Sequence, residues 1–348
     1  MLGATVALRL AQRGGAVTIF DRGDTLGGLA APWTIDTPRG PVTWDRNYHV
    51  TLGSDQSLRG LLTELGLDAE MHWSSTRTGM YADGRLESVS GPVDFVRLRG
   101  LSPVAKARLA LTIGRGATTK QWRALEQITA AEWLTRWSGR ATFDRFWVPL
   151  LAAKLGDGWR DANAAFIWAI IQRLTAARRA GIGDEQFGSV LGGYARVTAA
   201  MIDHLERAGV TIVLGAAVER VTRTADGISV GTAGSEATFD DVVVTASPRV
   251  TAAIVHGLAD QQRAEFERIR YQGVICASLL LEQPLSPYYL TYLLDDLPFT
   301  GIVEMTTLIP RAWVRGYTLV YLPRYVGSDS EWFNASDAEH QRYKAPFH

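Results

Sequence analysis

The chain has 348 residues, with 36 Lys plus Arg against 36 Asp plus Glu and a hydrophobic fraction of 47%. Zero net charge removes the electrostatic case for nucleic acid or an anionic membrane as the main partner, and the apolar share is that of a chain able to bury a core, which argues against disorder. A small-molecule partner is therefore expected, and at roughly 150 residues per domain the length suits about two domains.

Cys276 is the only cysteine, which excludes an internal disulfide and a CxxC pair. A reducing, cytoplasmic setting is expected. The thiol lies in the apolar run GVICASLLL, where burial leaves a thiol inert. No run reaches the roughly 18 apolar residues of a membrane span, and no basic region followed by a continuous apolar one opens the sequence. The six histidines show no HxxxH or HExxH spacing, so no metal site is expected. No nucleophile elbow of the hydrolase kind is expected. Oligomeric state is not readable.

The opening, MLGATVALRLAQRGGAVTIFDRGDTLGGLA, orders the rest. Ala4, Ala7, Leu8, Leu10 and Ala11 recur at near-helical spacing, and Gly14 and Gly15 are helix stops. Ala16 to Phe20 has the β-branched character of a buried parallel strand and ends on Asp21. Helix, glycine turn, strand and acid in that order fit a dinucleotide-binding unit. The helix N-terminus offers free backbone N–H groups to a pyrophosphate, and an acid roughly 20 residues on takes a ribose hydroxyl. Asp21 follows Gly3 by 18 positions. Gly3 then reads as the third glycine of GxGxxG, with a strand and two further glycines expected upstream.

Gly27 and Gly28 follow the acid by six and seven residues. With that second glycine pair the sequence resembles the FAD-dependent amine oxidase and protoporphyrinogen oxidase superfamily, whose FAD segment runs from GxGxxG through an acid to GG. The resemblance implies an α/β fold: a discontinuous Rossmann-like FAD-binding domain with an interleaved α+β substrate domain, built as a helical cap plus a mixed sheet. It implies FAD as cofactor and contacts at Gly3, Asp21, Arg22, Gly27, Gly28, Leu29 and Val218. The glycine pair would bring backbone N–H groups against the pyrophosphate and ribityl chain, where a Cβ would obstruct. Where the family often has an arginine before the pair this sequence has Thr25, and Arg22 is the candidate for that charge.

The stretch WDRNYHVTLGSDQSLRGLLTELGL is similar to the segment after the GG turn in a bacterial protoporphyrinogen-oxidase-like branch, on Asp45, Tyr48 and His49. Leu58, Leu61, Leu62 and Leu65 predict a helix that Ser54 can cap and Gly66 closes. His49 has two readings, a hydrogen-bonded core histidine or a catalytic group facing flavin or substrate. GMYADGRLESV predicts a hairpin turning at ADG. Ser102 to about Arg179 turns helical and carries Trp122, Trp133, Trp137, Trp147, Trp159 and Trp168, as a helical cap or a plain helical core would. Within it Lys154 follows an apolar run. It is either a catalytic lysine that holds a water or stabilises a reduced flavin anion, or a surface or salt-bridged one.

GSVLGGYARVTAAMIDHLERAGVTIVLGAAVERV is the second stretch of resemblance. Gly192 and Gly193 lead into a helix over Ala195 to Arg207, a strand over Thr211 to Leu214, then Val218 and Val221, with the Val218 backbone able to read an adenine edge. Val242 to Thr245 predicts one more parallel strand. The following segment alternates strands and turns, with Tyr288, Tyr289, Phe299 and Glu304 as further candidates. The family's last glycine and acid motif is expected beyond the end at HQRYKAPFH.

The expected organisation alternates between two domains. Residues 1–55 form the first FAD-binding segment, 56–187 a mostly helical first substrate segment, 188–250 the second FAD-binding segment and 251–348 a sheet-forming second substrate segment. The expected activity is FAD-dependent oxidation, a hydride leaving a small organic substrate for flavin N5. Two alternatives stand beside it. One is an isomerase similar to UDP-galactopyranose mutase, for which Arg145, Arg173 and Arg324 are available. The other is an inactive fragment or pseudoenzyme.

Overall fold

The computed structural model describes residues 1–91, 94, 97, 99–180, 186–295, 297–327, 330 and 331. The terminal HQRYKAPFH lies outside the described residues. In chain order the structure begins with α1 (Leu2–Ala11), β1 (Thr18–Phe20), β2 (Pro32–Ile35), β3 (Val42–Asp45), β4 (Thr51–Leu52), α2 (Gln56–Glu64), β5 (Met71–Ser75), β6 (Thr78–Ala82) and β7 (Arg85–Ser88). Helices α3 (Pro103–Thr118), α4 (Ala130–Ser138), α5 (Val148–Leu155) and α6 (Ala164–Ala180) follow. Next come β8 (Gln186–Val190), α7 (Gly193–Arg207), β9 (Thr211–Val213), β10 (Val218–Thr224), β11 (Gly227–Thr232), β12 (Glu236–Phe239), α8 (Pro248–Ile254) and α9 (Asp260–Arg268). The last elements are β13 (Gln272–Leu281), β14 (Leu290–Leu293), β15 (Gly301–Glu304) and β16 (Thr318–Gly327). Among the described residues no helix is long and apolar enough to cross a membrane.

The chain divides into two compact units. Unit 1 comprises Met1–Arg46, Leu61–Glu70 and Val190–Arg270. In it β1 pairs in parallel with β9, Ile19 opposite Ile212. Helix α1 buries Ala4, Ala7 and Leu8, α7 buries Val197, Met201 and Leu205, and the two helices pack on each other. The buried face of α1 follows the near-helical spacing read from the sequence. Strands β10, β11 and β12 make an antiparallel sheet, and β2 pairs with β3.

The strand expected at Val242–Thr245 is not formed: these residues carry no ladder among the described residues, and Val243 is 60% exposed. A strand exists only through hydrogen bonds to a neighbour, and among the described residues β1 pairs with β9 alone. The apolar run is therefore correct as composition but lacks a partner. The strand expected to end at Leu214 stops at Val213, and the helix expected from Ala195 starts two residues earlier at Gly193.

Unit 2 comprises Asn47–Gly60, Met71–Ser189 and the chain from Tyr271 onward. Its main sheet has six strands in the order β13-β16-β15-β14-β6-β7. The β14–β6 pair is parallel and the others antiparallel, so the sheet is mixed. The hairpin β6–β7 turns on Asp83 (φ 52) and Gly84 (φ 70), two consecutive left-handed residues as a two-residue turn demands. Both of their N–H groups donate to the Asp295 carboxylate. The helices α3 to α6 pack around Leu109, Trp133, Leu134, Trp147 and Leu151. Ser102 caps α3 by accepting from the Ala105 N–H, and Thr129 with Glu132 forms a reciprocal capping box on α4. Ser54 does not cap α2 as expected: its buried hydroxyl has no partner among the described residues, while Asp55 accepts the Leu52 N–H and fixes the turn before the helix.

Leu134 is fully buried at the centre of the helical cluster. Leu134→Ala is expected to destabilise unit 2 by about 2–5 kcal/mol, read as the shift of its urea unfolding transition.

Candidate functional site

Seven of the sequence-derived candidates, Gly3, Asp21, Arg22, Gly27, Gly28, Leu29 and Val218, fall in unit 1. Two features place them. The first is the start of α1. A Cβ on Gly3 would stand 2.8 Å from Thr245 Oγ1, so only glycine lets this helix approach that segment so closely. The first amides of α1 have no partner within the helix. Asp21 belongs to the same compact unit as the helix start. Asp21 also accepts the Gly23 N–H through Oδ1 at 2.8 Å, and its own N–H and carbonyl bond to Val213 and Ala216. The acid is thereby fixed at the ends of β1 and β9.

The second feature is the Gly27–Gly28 turn. Gly27 has φ +122 and is buried; Gly28 has φ +61, and nothing lies within 4 Å of where its Cβ would stand. These conformations favour glycine. Leu29 follows with its side chain 83% exposed and Arg22 is exposed as well. The would-be Cβ of Gly27 is 3.5 Å from Thr198 Oγ1 on α7, and that buried hydroxyl has no hydrogen-bond partner among the described residues. Val218 opens β10, half-buried.

Helix α7 carries this turn and is itself pinned at its N-terminus. Asp45, 2% exposed at the end of β3, accepts the Tyr194 N–H through Oδ1 at 2.7 Å. A carboxylate at a helix N-terminus satisfies a free amide and complements the helix dipole. Gly193 has φ +64, and a Cβ there would be 2.7 Å from the same oxygen. Arg196 adds a bidentate pair to Glu70.

FAD, the cofactor the sequence resemblance implies, fits these residues. Helix α1 supplies unsatisfied amides, Gly28 supplies a backbone face with no side chain in front of it, and Thr198 supplies an orphaned buried hydroxyl beside Gly27.

His49 and Lys154 fall in unit 2. His49 is half-buried between Tyr48 and β4. Lys154 sits near the C-terminal end of α5 with Nζ 5.8 Å from the centroid of the Tyr325 ring. The Tyr325 hydroxyl is 2.6 Å from that of Tyr48, so Tyr325 links the lysine to the residue beside His49. Sequence reasoning misses Tyr325: Tyr48 and Tyr325 are 277 positions apart, and no local spacing signals such a pair. Burial and the neighbouring Arg173 hold the Lys154 ammonium below the ordinary lysine range. Burial pushes the Cys276 thiol up to about 12, which makes it the inert thiol expected.

The remaining candidates have structural partners. The Tyr288 ring packs on Gly79, Tyr289 meets Phe187 edge-on, and Phe299 joins a cluster with Leu293 and Val320. Glu304, 1% exposed, accepts the Leu285 and Ser286 N–H groups. Arg173 forks onto Asp55, Arg324 donates to the Pro298 carbonyl, and Arg145 lies against Gly100. The three arginines considered for a nucleotide-sugar are each anchored separately.

The sequence matches the family model "Flavin containing amine oxidoreductase" over residues 3–343. Curated proteins give no match. Among solved structures, a protein from Exiguobacterium sp. 255-15 provisionally assigned as a protoporphyrinogen oxidase is 17% identical with a TM-score of 0.73, covering 99% of this chain and 79% of that one. Putrescine oxidase bound to putrescine is 16% identical with a TM-score of 0.69, covering 98% and 76%. Reduced UDP-galactopyranose mutase is 18% identical with a TM-score of 0.69, covering 94% and 71%.

The Gly193–Asp45 approach can be tested directly. Gly193→Ala is expected to cost about 2 kcal/mol or more from left-handed strain plus the clash. Gly209→Ala, at φ +77 with nothing within 4 Å, bears the strain alone, so thermal unfolding is expected to rank it clearly above Gly193→Ala.

Proposed function

The chain belongs to the flavin-containing amine oxidoreductases and is an FAD-dependent oxidoreductase, and from that premise we propose that unit 1 holds the cofactor and unit 2 the substrate. The amides at the start of α1, made approachable by Gly3, take the pyrophosphate. Asp21 takes ribose hydroxyls through the oxygen left by its bond to Gly23. The backbone of Gly27, Gly28 and Leu29 closes over the diphosphate and ribityl chain, Arg22 contributes charge, and the Val218 backbone reads the adenine edge. FAD when bound supplies the electron acceptor, taking a hydride at N5 from a substrate C–H beside nitrogen or from an allylic carbon.

The protein's own role is to orient, to exclude water and to hold protons. Lys154, with its ammonium depressed by burial, is placed to hold a water or a developing negative charge at Nζ. The imidazole of His49 is the companion acid or base in the same unit. The zero net charge and lone cysteine support a small-molecule substrate and a cytoplasmic setting.

The observation that carries this reading is the Gly27–Gly28 turn, left-handed at both residues and open where the second Cβ would stand. Gly28→Val is expected to reduce retained FAD at least about tenfold, because a branched side chain blocks the backbone face and resists positive φ. Gly234→Val, also in unit 1 with open space and no positive φ, is expected to keep its FAD. Flavin absorbance per mole of folded protein after gel filtration measures both.

A further inference from the structure

Lys154 is a half-buried cation without an anion. No carboxylate pairs with it among the described residues; its neighbours are the Tyr325 ring at 5.8 Å and the like charge of Arg173. Arg173 is itself committed to Asp55 at 2.8 Å, so that carboxylate is already engaged. Ammonium groups withdrawn from water are costly unless an opposite charge or aligned acceptors replace the lost hydration.

Beside it stands the Tyr48–Tyr325 hydroxyl pair at 2.6 Å. One hydroxyl donates to the other, and each tyrosine carries a single O–H proton. Whichever donates, the second keeps a proton that no described group accepts. The cluster thus presents three ammonium protons and one phenolic proton, with no negative charge to receive them. Cys276 and Tyr289, the other titratable neighbours of Tyr48, are both pushed upward by burial and stay neutral.

We propose that Lys154, Tyr48 and Tyr325 form a subsite for an anionic oxygen group of the substrate, so that the substrate is an acid-bearing molecule and not a polycationic amine. This rests on the assignment of unit 2 to the substrate. An incoming anion supplies the acceptor for both donors and relieves the desolvated ammonium, whereas a diamine meets the like charge of Lys154. A carboxylate and a phosphate ester share this chemistry. The compact ammonium over the Tyr325 ring suits a carboxylate, since Arg173, the guanidinium whose charge reaches Lys154, is already forked onto Asp55 and does not offer a phosphate a two-point grip.

Calorimetric titration of the full chain with benzoate, benzylamine and uridine monophosphate tests this. Benzoate is expected to bind, with affinity falling about tenfold or more in Lys154→Met and severalfold in Tyr325→Phe, as loss of a charge-assisted and a neutral hydrogen bond requires. Lys154→Arg, which keeps the charge, is expected to retain most of the binding and serves if the methionine variant does not fold. Binding of uridine monophosphate that depends on Lys154, with none of benzoate, would keep the anion subsite and assign it to a phosphate. Benzylamine binding as tightly as benzoate, no binding of either anion, or anion binding indifferent to Lys154 would overturn the subsite. The readout is independent of flavin: Lys154-dependent benzoate binding in protein that fails to retain FAD would sink the cofactor reading and leave the subsite standing.

Discussion

The buried Asp45 carboxylate at the N-terminus of α7 fixes the region of unit 1 on which the rest depends. A carboxylate 2% exposed is tolerable only if its charge is met, and here the Tyr194 amide and the helix dipole meet it. The approach requires residue 193 to have no Cβ. Once α7 is held, α1 packs along it and the Gly27 turn seats against Thr198. The amides of α1, the bare backbone of Gly28 and the Asp21 carboxylate are thus positioned by packing and not by their own loops. Preorganisation of this kind lowers the ordering cost that a ligand held by backbone dipoles would otherwise meet.

Unit 2 uses different physics. Its sheet brings β16 beside β15 and β13, and its helices supply Lys154 at the end of α5. What results is a group of neutral phenols and an ammonium that lies over the Tyr325 ring and has no paired carboxylate among the described residues. The family description names amines, whereas the described groups around Lys154 are a phenol ring and a second cation, which is what the proposed anion subsite rests on. Substrate preference in such a fold follows from individual side chains and not from the architecture.

Legibility in the sequence follows locality. The hairpin at Asp83–Gly84 and helix α1 are readable because turn chemistry and 3.6-residue periodicity are local. The glycine pair is readable because positive φ selects glycine. Val242–Thr245 shows the limit: its apolar β-branched composition is plain, but a strand needs a partner, and pairing is not a property of the segment itself. Ser54 shows another: the turn before α2 is fixed by its neighbour Asp55, which accepts the Leu52 amide. The Tyr48–Tyr325 link and the orphaned Thr198 hydroxyl are invisible for a third reason. They arise from side chains that only the tertiary fold brings together.

The central claim is that the start of α1 and the Gly27–Gly28 turn face one diphosphate. Amide hydrogen exchange of the full chain, with and without FAD, tests it at those backbone groups. The account requires FAD to slow exchange in both Gly3–Ala7 and Gly27–Ala30. Protection confined to other segments, with both of these exchanging as in the cofactor-free chain, would contradict it.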